Sequence, residues 1–435
     1  MHRRWLLSIA VLAFLLHFAY AAASGSLRNP RVWEVEQIAT DLTQSHAFFY
    51  KHEGTIYRAY AEPLWPFVAA AVYAVTGHSR MAMVLLQIAI ASITVWLTGR
   101  LASSATGDEA AGNVAALLMA IHPGFITYSS ILHPLTLDTF FLVAAALAII
   151  ARRWYAAAAL IGLGALTRPT ILLLTGFQRR IAAVAITLAI VAPWTIRNAV
   201  VLHDFVLTRS GTGFVFWLGN NPNATGSAVD VHRRPLLDAA PPEFQARIRA
   251  ADELARDRLF RDAAWTYIAA NPLAAAGRVA QRLFYFWWFS PEWGAHYSAP
   301  AKIVYRVWWA CLLFLFALGA IKTRRREVWL LVAMAVLVSL VQSLFYVEGR
   351  HRLAVEPLIL PMAALSLVKG GPRWLHSQRS GSRSSSPPRS SSSPAISFGW
   401  PFPSGAAVTT GNCPTKRLSS TRSSPRRAAS TSSRA

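Results

Sequence analysis

Ten apolar runs interrupt the first 370 residues of this 435-residue chain, and each is too continuous to be the one-sided stripe of a soluble helix. They cover about 5–23, 80–98, 110–128, 135–150, 155–166, 169–177, 181–194, 302–321, 328–346 and 353–368. Such runs predict helices within a bilayer, because a helix satisfies its own backbone polar groups in hydrocarbon. A composition of 54% hydrophobic and only 14% charged residues agrees. The fold class expected is an all-α polytopic membrane protein with about ten transmembrane helices.

The formal charge of +23 would suggest nucleic acid if it were spread over a soluble domain. Ten of those positive charges lie in 370–435 with no Asp or Glu, leaving +13 for the rest. Most of the remainder sits between apolar runs: Arg3 and Arg4, Arg100, Arg152 and Arg153, Arg179 and Arg180, Lys322 with Arg324, Arg325 and Arg326, and Lys369 with Arg373. The positive-inside rule places all six clusters on the cytoplasmic side, with both termini there. A nucleic-acid partner is not expected. Two cysteines, Cys311 and Cys413, offer neither a disulfide framework nor a thiolate metal site.

The first run fits a cleaved signal peptide in outline, but its length favours an uncleaved first span. Either way residue 24 onward lies outside. Residues 63–76 suit an interfacial or re-entrant helix, and 154–177 suits a hairpin of short helices turning near Thr167, Arg168 and Pro169. A membrane module, 1–369, then presents two outer segments, 24–62 and 197–300, and a short link, 347–352, on the same outer face. The remainder, 370–435, is rich in Ser, Arg and Pro and reads as a disordered tail.

Chemistry is sought on that outer face. Glu34 and Glu36 follow the first span in WEVEQIATDL. Residues two apart point to different faces of a helix, so one of the two reads as a solvated charge, and loop solubility is an equal reading for both. In APWTIRN, Arg197 and Asn198 stand at the end of a span, where Arg197 reads as a snorkelling anchor or a phosphate ligand. LGNNPNATG, with Asn220 and Asn221, reads as a loop of exposed amide and backbone groups suited to a hydroxyl-rich ligand. Arg350, His351 and Arg352 lie on the outer side against the positive-inside trend, beside Glu348 and Glu356. They read as an anion site or as local ion pairs. Residues 271–293 have the pattern of an amphipathic interfacial helix leading into an aromatic belt. There is no phosphate-binding glycine loop, no metal-ligand spacing and no nucleophile elbow.

Taken in order, WEVEQIATDL, PLWPFVAAAVYAVTG, GLGALTRPTILLL, APWTIRN with LGNNPNATG, and GRHRLAVEPL resemble bacterial membrane glycosyltransferases of the GT-C superfamily, related to dolichyl-phosphate-mannose-protein mannosyltransferases. The resemblance implies a GT-C-like bundle with interfacial helices on its two outer loops, in the bacterial cytoplasmic (inner) membrane. It implies transfer of a sugar, with inversion, from a polyprenyl-phosphate-linked donor to a hydroxyl of a glycan, lipid or protein acceptor at the outer face. Glu34 matches the family's acidic position and Glu36 stands beside it as a second catalytic candidate. Arg350, Arg352, His351, Arg197, Asn198, Arg168, Asn220 and Asn221 are the donor- and acceptor-binding candidates. The cofactor is unknown; a divalent cation is compatible with the family but has no signature here. The pattern departs from the family at Glu34-Val35-Glu36, at Ala61-Glu62-Pro63 and at His133-Pro134, where Asp138 is the nearby acid. Those departures keep two alternatives open, a lipid or solute transporter and an inactive relative. A transporter would call for charges at mid-membrane or an internal repeat, and neither is evident.

Overall fold

A computed structural model of the chain describes residues 2–368 except 53, 295 and 296; the expected tail, 370–435, lies outside the described residues. The elements in chain order are α1 (His2–Ala23), α2 (Glu34–Ser45), β1 (Tyr50–His52), β2 (Thr55–Tyr57), α3 (Leu64–Thr76), α4 (Arg80–Thr106), α5 (Glu109–Ala120), α6 (Pro123–Ser129), α7 (Leu135–Ile150) and α8 (Trp154–Ala165). After a 3-10 helix, Pro169–Phe177, come α9 (Ile181–Leu202), α10 (Thr212–Gly219), α11 (Pro242–Ala250), α12 (Glu253–Ala270), α13 (Pro272–Trp287), α14 (Ala299–Lys322), α15 (Arg326–Gln342), α16 (Gly349–Leu353) and α17 (Glu356–Leu367). β1 and β2 form one antiparallel hairpin. The chain is an all-α polytopic membrane protein.

Each of the ten apolar runs is helical. Among the described residues four helices, α1, α4, α9 and α14, are long and apolar enough to cross a membrane alone, and α5 with α6 makes a fifth broken by a 58° bend. The others are shorter, so all ten runs are helical but only four or five, among the described residues, have the length of a span. The bend has a local cause: His122 caps α6 by accepting the Phe125 N–H, and Pro123 occupies the first helical position. The expected hairpin at 154–177 has α8 as its first arm and a 3-10 helix as its second.

α4 packs against α1, α5 and α7, and α17 lies against α14, α15 and α5. Small residues let the helices approach closely. A Cβ on Gly112 of α5 would come within 2.8 Å of the Gly99 carbonyl of α4. Two residues of one basic cluster touch neighbouring elements: Arg325 lies against Gly107, and Lys322 donates to the Ser366 carbonyl at 2.9 Å. The segments expected outside also meet. Leu132 N–H donates to the Arg31 carbonyl, Leu64 N–H to Leu166, and Val347 N–H to Gly226.

The second outer segment holds its own small core, Trp217, Leu236, Ile248 and Phe260, between α10, α11 and α12. Its last helix, α13, leaves Leu273 and Phe284 exposed on one side and buries Arg282 and Phe286 on the other, the division expected of a helix lying at an interface.

Candidate active site

Trp33 is extended, and Glu34 opens α2, where the helix N-terminus favours a negative charge. Glu34 lines an open cleft of about 490 Å³ with Arg31, Trp33, Gln37 and Tyr50 among its walls. Among the described residues its carboxylate makes no hydrogen bond or ion pair. A half-buried carboxylate left unpartnered in a cleft is free to accept a proton from something that enters.

Glu36 differs from the solvated charge expected of one member of the pair. It is buried, accepts from Arg80 Nε at 2.8 Å and from the Tyr73 hydroxyl at 3.4 Å, and lies 3.6 Å from His78 Nε2. The helix turns it away from Glu34 to join α2 to α3 and α4. Glu36→Gln is expected to lower stability by about 1–2 kcal/mol, since it weakens a charge-assisted bond whose arginine still reaches solvent. The midpoint of denaturant unfolding measures that change.

Arg31 lines the cleft itself, and two further arginines lie behind its aromatic walls. Arg350 lies 5.0 Å from the centre of the Trp33 ring, pairs with Glu348 at 2.6 Å and donates to the Tyr346 hydroxyl at 2.9 Å. Burial would lower its pKa, but Tyr346 and Glu348 outweigh burial and raise it, so the cation is fixed. On the other side Arg209 lies over Tyr60 at 5.7 Å, and the Tyr60 and Tyr50 rings are 4.4 Å apart. Its only carboxylate contact among the described residues is Glu62, at a loose 3.8 Å. Burial would lower the Arg209 pKa, yet Glu62, Tyr60 and Glu34 raise it. Burial and the same Glu34 charge push the Tyr60 hydroxyl up. Glu34, Tyr60 and Arg209 thus act on one another electrostatically. Arg209 had no distinguishing pattern in the sequence; only its position beside Tyr60 identifies it.

The other site candidates are placed elsewhere. Arg352 is buried, donates to Glu356 at 3.0 Å and to the Trp288 carbonyl at 3.0 Å, and lies 4.2 Å from the centre of the Trp309 ring. Both arginines are ion-paired, but the Arg352 side chain is 1% exposed and closed to a ligand, whereas that of Arg350 is 15% exposed. His351 is also buried and caps α16 by accepting the Glu348 N–H. Burial, then Arg350, keep its pKa well below the ordinary histidine value, and the same causes act on His133. Arg168 pairs with Asp138 at 2.9 Å beside a second cavity of about 10 Å³ that His351 and Gln342 also line.

Arg197 fastens the end of α9 to the first outer segment, donating to the carbonyls of Arg58 at 2.5 Å and Phe48 at 3.3 Å while stacking on Trp194. Asn198 is buried and donates to the Val206 and Thr208 carbonyls. The Asn-rich loop also differs from expectation. Asn220 and Asn221 are buried, Arg282 donates to the Gly219 carbonyl and to Asn220 Oδ1, and Arg278 donates to the Asn221 and Pro222 carbonyls. The polar groups that looked available to a ligand hold the loop onto α13. Among the described residues no group of three or more His, Cys, Asp or Glu side chains is placed to hold a metal ion.

No protein-family model matches the chain, and no curated protein matches it. The chain is similar to solved structures of two proteins. One is ArnT from Cupriavidus metallidurans bound to undecaprenyl phosphate, at 15% identity over 83% of this chain and 78% of that one, with a TM-score of 0.42. The other is the archaeal oligosaccharyltransferase AglB from Archaeoglobus fulgidus, in complex with an inhibitory peptide and a dolichol-phosphate. It is 14% identical over 88% of this chain, with a TM-score of 0.43, and this chain spans 52% of its length.

Proposed function

We propose that the cleft at Glu34 transfers a sugar from a polyprenyl-phosphate-linked donor to an acceptor hydroxyl at the periplasmic face of the bacterial inner membrane. The observation that carries this reading is a carboxylate, Glu34, with no partner among the described residues, in an open cleft whose aromatic walls carry Arg350 on Trp33 and, through Tyr50 and Tyr60, Arg209. A sugar joined through its anomeric carbon to a lipid phosphate already carries a good leaving group, so no strong general acid is required. What the site must supply is a base for the acceptor proton and fixed cations for the charge that grows on the departing phosphate.

Glu34 is the base. It takes the acceptor hydroxyl's proton as the oxygen attacks the anomeric carbon, the bond from that carbon to the phosphate oxygen breaks, and the lipid phosphate leaves with the electron pair. A single displacement inverts the anomeric centre. Arg350 and Arg209 receive the phosphate, whose oxygens match the forked donors of a guanidinium. Their aromatic neighbours, Trp33 and Tyr60, hold the two planes in place.

The test is incubation of the purified full-length protein with a panel of polyprenyl-phosphate sugars and candidate glycan, lipid and peptide acceptors, following lipid-phosphate release and the anomeric configuration of the product. Release that depends on acceptor, with inversion, is the expected result. Substrate accumulation in proteoliposomes with no acceptor present, and no release, would replace the enzyme with a transporter. Arg209→Ala is expected to raise the KM for donor roughly 10-fold or more, the scale of one lost hydrogen bond to a charged group. An unchanged donor KM would remove Arg209 from the site.

A further inference from the structure

We infer that Glu253, on α12, is a positioning residue that clamps the Arg58-Ala59 peptide segment against Ser210 and thereby sets Tyr60 and Arg209 at the edge of the cleft. This rests on the cleft being the donor-phosphate site.

Glu253 is buried although it opens a helix far along the chain from the cleft. One carboxylate oxygen accepts the Arg58 N–H at 2.6 Å; the other accepts the Ala59 N–H at 2.9 Å and the Ser210 hydroxyl at 2.5 Å. Ser210 N–H donates in turn to the Ala59 carbonyl at 2.7 Å, and Arg197 donates to the Arg58 carbonyl at 2.5 Å. All four backbone polar groups of two consecutive residues are thus held by side chains or backbone from the second outer segment and the end of α9. A surface loop has no need of so many partners from distant parts of the chain, because water would serve.

The next residue after this clamped pair is Tyr60, and the residue before Ser210 is Arg209. The clamp therefore fixes the two backbones from which the stacked Tyr60–Arg209 pair projects, 5.7 Å apart. The same face of α12 carries two further ties at positions i+3 and i+4. Arg256 donates to the Tyr57 hydroxyl and, at 2.9 Å, to the Thr55 hydroxyl, while Asp257 accepts the Gly213 and Phe214 N–H groups at the start of α10. One helix face thus ties the β-hairpin, the 58–60 segment and the 209–214 segment together. A carboxylate is suited to the central position because it accepts all three bonds at once; an amide in its place must turn a donor toward one of three donors.

The experiment uses full-length protein in detergent and reads two quantities. The first is hydrogen exchange of the 57–61 and 208–211 amides; the second is the Kd for undecaprenyl phosphate. In Glu253→Gln both stretches are expected to exchange faster and the Kd to rise about tenfold, the scale at which displaced positioning shows. Ser210→Ala, which removes one of the three bonds, gives a smaller rise and a protein close to wild type in stability, should Glu253→Gln fold poorly. Asp262→Asn, an exposed charge on the same helix, leaves the Kd unchanged. Wild-type binding with a Kd unmoved in Glu253→Gln and Ser210→Ala overturns the clamp and leaves the sugar-transfer reading intact. Failure of the wild type to bind any polyprenyl phosphate overturns that reading instead.

Discussion

Replacing Glu34 by glutamine is expected to lower the rate of sugar transfer by roughly 10²–10⁴-fold, the usual contribution of a positioned general base, with little change in affinity for the lipid-phosphate donor. The substitution preserves shape and removes only the capacity to accept a proton. Because no arginine, histidine or backbone N–H is bonded to Glu34 among the described residues, its loss leaves no partner stranded and no large fall in stability follows. A rate loss in Glu34→Gln can therefore be read as chemistry rather than misfolding. Glu36→Gln behaves in the opposite way, with weakened unfolding resistance and transfer largely retained, since Glu36 is spent on Arg80, Tyr73 and His78. Undiminished transfer by Glu34→Gln, measured as lipid-phosphate release at saturating donor, would take the base away from this position.

The long apolar runs announced the bundle because hydrocarbon imposes its requirement on every residue of a span, so the signal is written many times over. The cleft was legible only where a charge stood out against its surroundings. Glu34 did so by following a span directly. Arg209 did not, since an arginine in a long outer loop is unremarked until the fold lays it on Tyr60. Asn220 and Asn221 misled in the other direction: a turn-rich string of amides looks the same whether its groups face solvent or are bonded by Arg278 and Arg282 from a helix 57 to 63 residues away. Glu253 was silent because its three donors come from two other segments.

Arg352→Met is expected to give the largest loss of stability of any single substitution considered, about 3–5 kcal/mol, the range for breaking a buried ion pair from one side. The side chains of Arg352 and Glu356 are 1% and 0% exposed. Without Arg352, Glu356 keeps its contact with His122 and the Tyr305 hydroxyl at 2.6 Å, but loses its one fixed cation. The carbonyls of Phe286 and Trp288 lose a donor at the same time, and the rings of Trp309 and Phe289 lose the guanidinium lying against them. The pair Arg352→Met with Glu356→Gln should be less damaged than Arg352→Met alone, because the stranded charge is then gone. Thermal unfolding of both variants in detergent measures this, and a single variant as stable as wild type would refute the account. The effect should also reach the cleft. Arg352 sits two residues after Arg350 on the five-residue α16, so loosening its anchor to α13 and α17 frees Arg350 from its place over Trp33. Weaker donor binding in Arg352→Met at temperatures well below unfolding would record that link, from a residue that touches no substrate.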